Sequence, residues 1–319
     1  MIIESEFQPA RILANRHVQT LIGPLLVPVS QQPTSWSELA LPDGDFMEIA
    51  WFGSDNGPVL MILHGLEGSY RSHYVQRVIK PFLAAGWRIA VTHFRGCGRK
   101  INARSRSYHS GSSDDLTAAI GYLQQLGQPP TAILGFSLGG NVLLKWLGEN
   151  PQQQVIKRAM AVSVPFKLDI CATSIGRGFS RTYQKHLIDL LKKKTRKKLS
   201  LGLPGPQIVE PDWRTINNFW KFDHLVTAPL NGFNGVDDYY QQASSYQYLP
   251  MIKTPTLILH ALDDPFMSAD VLPEEAHLGP DVTLELSKFG GHVGFFDQLP
   301  PRKKPCYLGQ KAYAFLTRS

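Results

Sequence analysis

The chain has 319 residues, 43% hydrophobic and 18% charged, with a net charge of +7, which suits a soluble globular protein with a large core, in one large domain or two modest ones. No apolar run approaches ~18 residues, so no membrane-spanning helix is expected, and three widely spaced cysteines (Cys97, Cys171, Cys306) without a CxxC pair exclude a disulfide framework and a cysteine zinc site. The opening MIIESEFQPARIL lacks the basic-then-apolar pattern of a secretion signal, so a reducing cytoplasm is the expected setting, and the positive charge favours anionic partners only weakly.

In chain order, SWSELALP (35–42) and FMEIAWF (46–52) flank the turn DGD and predict an antiparallel hairpin at a sheet edge. PVLMILH (58–64), RIAVTHF (88–94), TAILGF (131–136), RAMAVSV (158–164), TPTLILH (254–260) and VTLELS (282–287) are near-continuous apolar runs. Runs of this length predict strands buried on both faces. Helical patterns lie between most of them: HYVQRVIKPFLAAG ending at Gly86, DDLTAAIGYLQQLG ending at Gly127, and GGNVLLKWLGEN. This alternation predicts a mostly parallel sheet with helices on both faces. It breaks over 165–248, too long a stretch for a loop. That stretch contains RTYQKHLIDLLKKKTRKKLS (181–200), and we expect a helical cap inserted into a core made of 1–164 and 249–319. Ligands of such sheets sit beyond the carboxyl ends of the strands, so the cap would roof the site.

The stretch ILGFSLGGN (133–141) is the chemical centre of the sequence. In G-x-S-x-G the chain turns sharply from strand to helix, and the serine projects its hydroxyl above the sheet. Ser137 follows a predicted strand and opens a predicted helix, which makes it the candidate nucleophile. A serine needs a base, and the base needs an orienting acid, in the chain order Ser, Asp or Glu, His. ALDDPFM, after one strand, offers Asp263 and Asp264; KFGGHVGFF, after the next, offers His292 among three glycines, as in an exposed mobile loop. Asp264 is preferred as the acid, the other aspartate organising the turn ahead of Pro265. The N–H groups of Leu138, after the nucleophile, and Leu66, in LHGLEGSY (63–70), are the candidate oxyanion donors. His64 comes too early in the order to be the base and is expected to be structural.

HGLEG, FRGCG, GFSLGGN, LDDP and GGHVGF, in this order, resemble the α/β-hydrolase superfamily. NRHVQT (15–20), RSYHSGSSDDL (106–116) and FDHLVTAPLNGFNGVDDYY (222–240) extend the similarity to its YheT-like branch, related to abhydrolase-domain lipases and yeast medium-chain ester synthases. Ala261 departs from the glycine that many members carry after that strand. The resemblance implies the α/β-hydrolase fold, the triad Ser137, Asp264 and His292, acyl-ester substrates and no cofactor. A serine at the elbow argues against the aspartate-based chemistry of dehalogenases and epoxide hydrolases.

The chain has no GxxxxGK[ST] loop and no HExxH pair. His17 and His109 fall in family-like stretches and are expected near the site. Phe166, Phe219 and Trp220 are candidates for an acyl pocket or for ordinary cap core. LLKKKTRKKLS (190–200) suggests a weak contact with anionic membrane surfaces and lacks the interleaved aromatics of a nucleic-acid module. The expected function is a serine carboxylesterase acting on short- to medium-chain acyl esters. Alcohol acyltransfer with the same residues is the alternative, and a lipid- or membrane-binding protein with an idle triad the more distant one. The sequence leaves the oligomeric state open.

Overall fold

The computed structural model describes residues 1–299 and 306–318. The elements run β1 (Ile2–Glu4), α1 (Arg16–Leu26), β2 (Ser35–Ala40), β3 (Phe46–Phe52), β4 (Val59–Leu63), α2 (His73–Ala84), β5 (Arg88–His93), α3 (Ser113–Gln125), β6 (Pro130–Phe136), α4 (Leu138–Glu149) and β7 (Arg158–Val162). No strand follows until β8; the chain instead forms α5 (Leu168–Ser174) and α6 (Ser180–Ser200), then, after a non-helical stretch over 201–218, α7 (Phe219–Phe222), a π turn (Asp223–Thr227), α8 (Ala228–Leu230), α9 (Val236–Ala243) and a 3-10 turn (Tyr246–Met251). It closes with β8 (Thr256–Ala261), β9 (Val282–Ser287) and α10 (Tyr307–Leu316).

Among the described residues the strands form one nine-stranded sheet, ordered β1-β9-β8-β7-β6-β4-β5-β3-β2. β2 and β3 pair antiparallel and β3 joins β5 antiparallel, so the expected hairpin does form one edge. All other pairs are parallel. The apolar runs are buried on both faces because helices cover both. Along β4, Val59, Met61 and Leu63 face the cluster built by α3 and α4, while Leu60 and Ile62 face the cluster built by α2 and α10. Residue alternation along the strands thus divides the core into two layers.

Three elements have no counterpart in the sequence-based expectation: β1, α1 and α10. β1 is three residues long and pairs Ile2 with Leu284 and Glu4 with Leu286. α10 lies on α2 and on β6 and β7, burying Leu308, Ala312 and Leu316. The remaining predicted strands and helices form within one to three residues of their expected ends.

The core also holds five histidines, His64, His73, His93, His109 and His260, each at most 7% exposed. Burial pushes the imidazolium forms down, to about 3 for His64 and His109 and about 4 for His93 and His260, with His73 well below 6.5. The unfolded chain therefore binds more protons than the folded one below pH 6.5, and stability falls as pH drops through that window, by up to about 2 kcal/mol per histidine at pH 5. Asp223, raised to about 6 by burial, acts in the opposite sense, as do Asp115 and Asp263, which burial also raises, but these are three groups against five. The melting temperature is expected to fall by more than about 5 °C between pH 7 and pH 5; a flat profile in differential scanning calorimetry would contradict this account.

Candidate active site

Ser137 sits at the sharp junction of β6 and α4, at φ 50° and ψ −118°, a left-handed conformation that a side chain rarely adopts. Its amide donates to the Val162 carbonyl at 2.8 Å, and its own carbonyl accepts from Asn141 as α4 begins. The flanking glycines are required by contact rather than by flexibility. A Cβ on Gly139 would lie 2.5 Å from the His64 carbonyl oxygen and 2.6 Å from that of Leu63; one on Gly135 would lie 2.5 Å from the Gly139 carbonyl. The start of α4 thus rests directly on the end of β4.

His292 lies after β9, and its Nε2 is 3.0 Å from Ser137 Oγ. Its Nδ1 is 2.8 Å from Asp264 Oδ2, beyond β8. An ionised carboxylate only accepts, so Nδ1 carries the proton and Nε2 accepts from the serine hydroxyl. Burial by itself would raise the Asp264 carboxyl, but its electrostatic attraction and hydrogen bond to the His292 ring, with the Phe266 amide, outweigh it and hold the group below its ordinary value. The His292 ring stacks on Phe266, with centroids 3.9 Å apart. The structure therefore brings Ser137, Asp264 and His292 into one hydrogen-bonded chain capable of withdrawing a proton from Oγ.

Two expectations are corrected. His292 is 6% exposed, not on an exposed loop. Its loop takes left-handed backbone at Gly290, Gly291, Val293 and Phe295 and is held by groups from elsewhere in the chain. Thr20 Oγ1 accepts from the His292 amide at 3.0 Å, Gln19 Oε1 from Phe296 at 2.7 Å and Ser163 Oγ from Val293 at 3.1 Å. The aspartates also divide their work differently. Asp264 Oδ1 itself accepts from Phe266 N–H and so organises the turn at Pro265, while Asp263 reaches across to accept from the Gly291 amide at 2.9 Å. Arg16 donates to both of their carbonyls, at 2.7 and 2.8 Å. Arg16, Gln19 and Thr20 belong to the stretch NRHVQT, whose similarity to a family was visible in the sequence while its task was not.

The loop after β4 stands beside Ser137: a Cβ on Gly65 would be 3.3 Å from the Ser137 Cβ. Tyr74 hydroxyl accepts from Gly65 N–H and Tyr108 hydroxyl from Glu67 N–H, whereas the intervening Leu66 amide and the Leu138 amide have no protein hydrogen-bond partner among the described residues. Glu67, at φ 52°, also accepts from Tyr108 Oη and from Lys194 Nζ at 2.6 Å. His64 is structural as expected: its Nδ1 donates to the Gly65 carbonyl and its Nε2 accepts from Phe94 N–H.

Above Ser137 opens a cavity of about 670 Å³, lined by Leu66, Leu187, Leu191, Phe222, Val226 and Leu230 among others. Phe219 and His109 line it too, while Phe166 belongs to the main core and Trp220 packs against Tyr240. His17 lies near α6, its Nδ1 3.1 Å from the Tyr183 hydroxyl. The basic stretch of α6 is only partly solvated. Lys194 turns in to Glu67, and Lys198 donates to the Arg106 carbonyl and the Ser107 hydroxyl, its ammonium lowered to about 7 by burial.

Because backbone, not side chain, faces Gly139, Gly139→Ala is expected to destabilise the fold by at least about 2 kcal/mol. Gly121→Ala in α3, where an added Cβ meets nothing within 4 Å, is expected to stabilise it by about 0.5–1 kcal/mol. Urea unfolding of both variants checks the pair.

A family model described as the alpha/beta hydrolase fold matches residues 58–202. YheT of Escherichia coli (strain K12) is 39% identical over 297 residues, covering 91% of this chain and 87% of that protein. The monoacylglycerol lipase of Saccharomyces cerevisiae is 31% identical over 259 residues, covering 78% of this chain and 57% of that one. Among solved structures, the Pyrococcus furiosus esterase Pf2001 superposes with a TM-score of 0.57 at 18% identity, covering 97% of each chain, a likeness of fold.

Proposed function

This chain belongs to the α/β-hydrolase superfamily, in the group that contains YheT, and from that premise we propose that it is a serine hydrolase that cleaves short- to medium-chain acyl esters. The observation that carries this is the continuous hydrogen-bonded chain from Asp264 through His292 to Ser137 Oγ at the floor of an apolar cavity. The names of YheT and of the yeast relative point to ester and lipid hydrolysis in those proteins.

In this reading His292 Nε2 takes the hydroxyl proton as Ser137 Oγ attacks the ester carbonyl. The negative charge that develops on the carbonyl oxygen is held by the amides of Leu66 and Leu138, which have no competing protein partner. Asp264 keeps the imidazole in the required tautomer and stabilises its cation. His292 then gives the proton to the leaving alcohol, and water, activated by the same ring, releases the acid and restores Ser137. No metal or cofactor enters. We further propose that 165–248 acts as a helical cap on a core of 1–164 and 249–319. The ties from Lys194 and Lys198 to the loops beneath support this. The three unpaired cysteines support a reducing, cytoplasmic setting, and among the described residues no helix is long and apolar enough to cross a membrane. Arg181, Lys193, Arg196 and Lys197 stay exposed on α6 and support a weak attraction to anionic surfaces.

Hydrolysis of p-nitrophenyl esters from acetate to palmitate tests the reading. Turnover is expected to peak at a short or medium chain, to fall off for palmitate and to drop at least about 10³-fold in Ser137→Ala. A folded protein inert to the whole series would overturn it, and ethyl esters formed in added ethanol would mark acyl transfer instead of hydrolysis.

A further inference from the structure

From Phe7 to Ser37 the sequence contains no aspartate or glutamate, although Arg11 and Arg16 fall within it. α1 lies in this stretch and has two different faces. Gln19, Thr20, Ile22 and Gly23 are buried, the first two holding the His292 loop. Val18, Leu21 and Leu25, at spacings of three and four, point outward at 38%, 37% and 75% exposure. Leu26 at 49% and Val29 at 38% continue the apolar edge, and none of these side chains is covered by any other described residue to the extent a core position would be. Contiguous exposed apolar surface of this kind marks a contact surface.

Its position gives the contact a purpose. Leu21 and Pro24 also line the cavity above Ser137, so the apolar edge runs into the cavity mouth. Leu190 of α6 is likewise 37% exposed and lines the same cavity. Phe179, 55% exposed, packs its ring at a tilt against His17 of α1, with ring centroids 4.7 Å apart. Cations surround these apolar groups: Arg71 at the cavity rim, and Arg181, Lys193, Arg196 and Lys197 along α6. An apolar edge without acids in its own stretch, flanked by cations among which Asp189, paired with Lys185, is the one acid of α6, complements an anionic interface. It would set like charges against each other in a pair of identical chains.

We propose that the outer edge of α1, with the exposed cations of α6, docks this protein on an anionic lipid surface and turns the cavity mouth toward that surface. Ester-bearing molecules would then enter from the lipid phase, between Leu21 and Leu190, without crossing water. The proposal goes beyond the hydrolase reading, and docking itself does not need a reactive Ser137.

Vesicle flotation tests it, in the Ser137→Ala background so that no lipid is consumed. The vesicles are one part phosphatidylglycerol to three parts phosphatidylcholine, against pure phosphatidylcholine, at low and high salt. Binding is expected to the anionic vesicles at low salt and to fall at least about tenfold when Val18→Asp and Leu25→Asp are added. Neither residue lines the cavity, so the same two changes in the reactive chain should leave hydrolysis of a water-soluble short-chain ester unchanged. If that chain proves inert, a thermal melt replaces hydrolysis as the check on folding, and the docking result still stands alone. Equal vesicle binding with and without the α1 changes overturns the proposal, as does failure of the anionic vesicles to bind at all. Concentration-dependent dimerisation that the α1 changes abolish would assign the edge to a second copy of the chain and overturn it too.

Discussion

Everything at the site depends on how closely the start of α4 is pressed onto the end of β4. With a hydrogen atom in place of a side chain at Gly139, the helix backbone rests against the carbonyls of Leu63 and His64. The chain can then turn from β6 into α4 within one residue, and that residue, Ser137, takes the left-handed conformation. The remaining non-glycine residues described in that conformation, Glu67, Ser163, Val293 and Phe295, all follow parallel strands and all belong to loops around Ser137. Strain of this kind costs of order 1–3 kcal/mol per residue and survives only where surrounding structure over-determines it. Here the sheet does so, since each loop is anchored by a strand with neighbours on both sides or, for β9, by β8 and β1.

Much of this was legible in the sequence because the signals are local. Buried parallel strands announce themselves as apolar runs, and a nucleophile elbow needs its glycines within two residues of the serine. The order Ser137, Asp264, His292 followed from strands whose carboxyl ends share one edge of the sheet. What could not be read depends on contacts between distant segments. Nothing near His292 says that Thr20, 272 positions earlier, will accept from its amide and bury it. That Asp264 serves both the imidazole and the turn while Asp263 ties down the His292 loop likewise depends on where Gly291 comes to lie. β1 is too short to show a period, and Lys194 and Lys198 look like any solvated lysines until Glu67 and the Arg106 carbonyl come beneath them.

The loop that carries Leu66 shows how a flexible-looking sequence becomes a fixed one. Tyr74 holds Gly65 from α2, Tyr108 holds both the amide and the carboxylate of Glu67, and Lys194 reaches that same carboxylate from α6. Side chains from α2, from the loop before α3 and from α6 thus hold this turn, Gly68 closes on the Gly65 carbonyl, and the Leu66 amide is the one left without a protein partner among the described residues. In the proposed reaction, a donor held this way would not reorganise when charge appeared opposite it, which is where oxyanion sites gain their advantage over water.

The first strand has a consequence for how the protein is made. Residues 2–4 pair with 284–286, and the first helix packs on a loop near residue 292. A chain emerging from the ribosome amino end first therefore holds β1 without its partner strand, and α1 with its contact to α2 but not to the His292 loop, until β9 and that loop have been synthesised. Contacts this distant in sequence are slow to close, and the apolar edge of α1 is exposed throughout the wait. The hydrogen-bonded chain from Asp264 through His292 to Ser137 likewise cannot assemble before His292 has been added, so any nascent piece shorter than that lacks it.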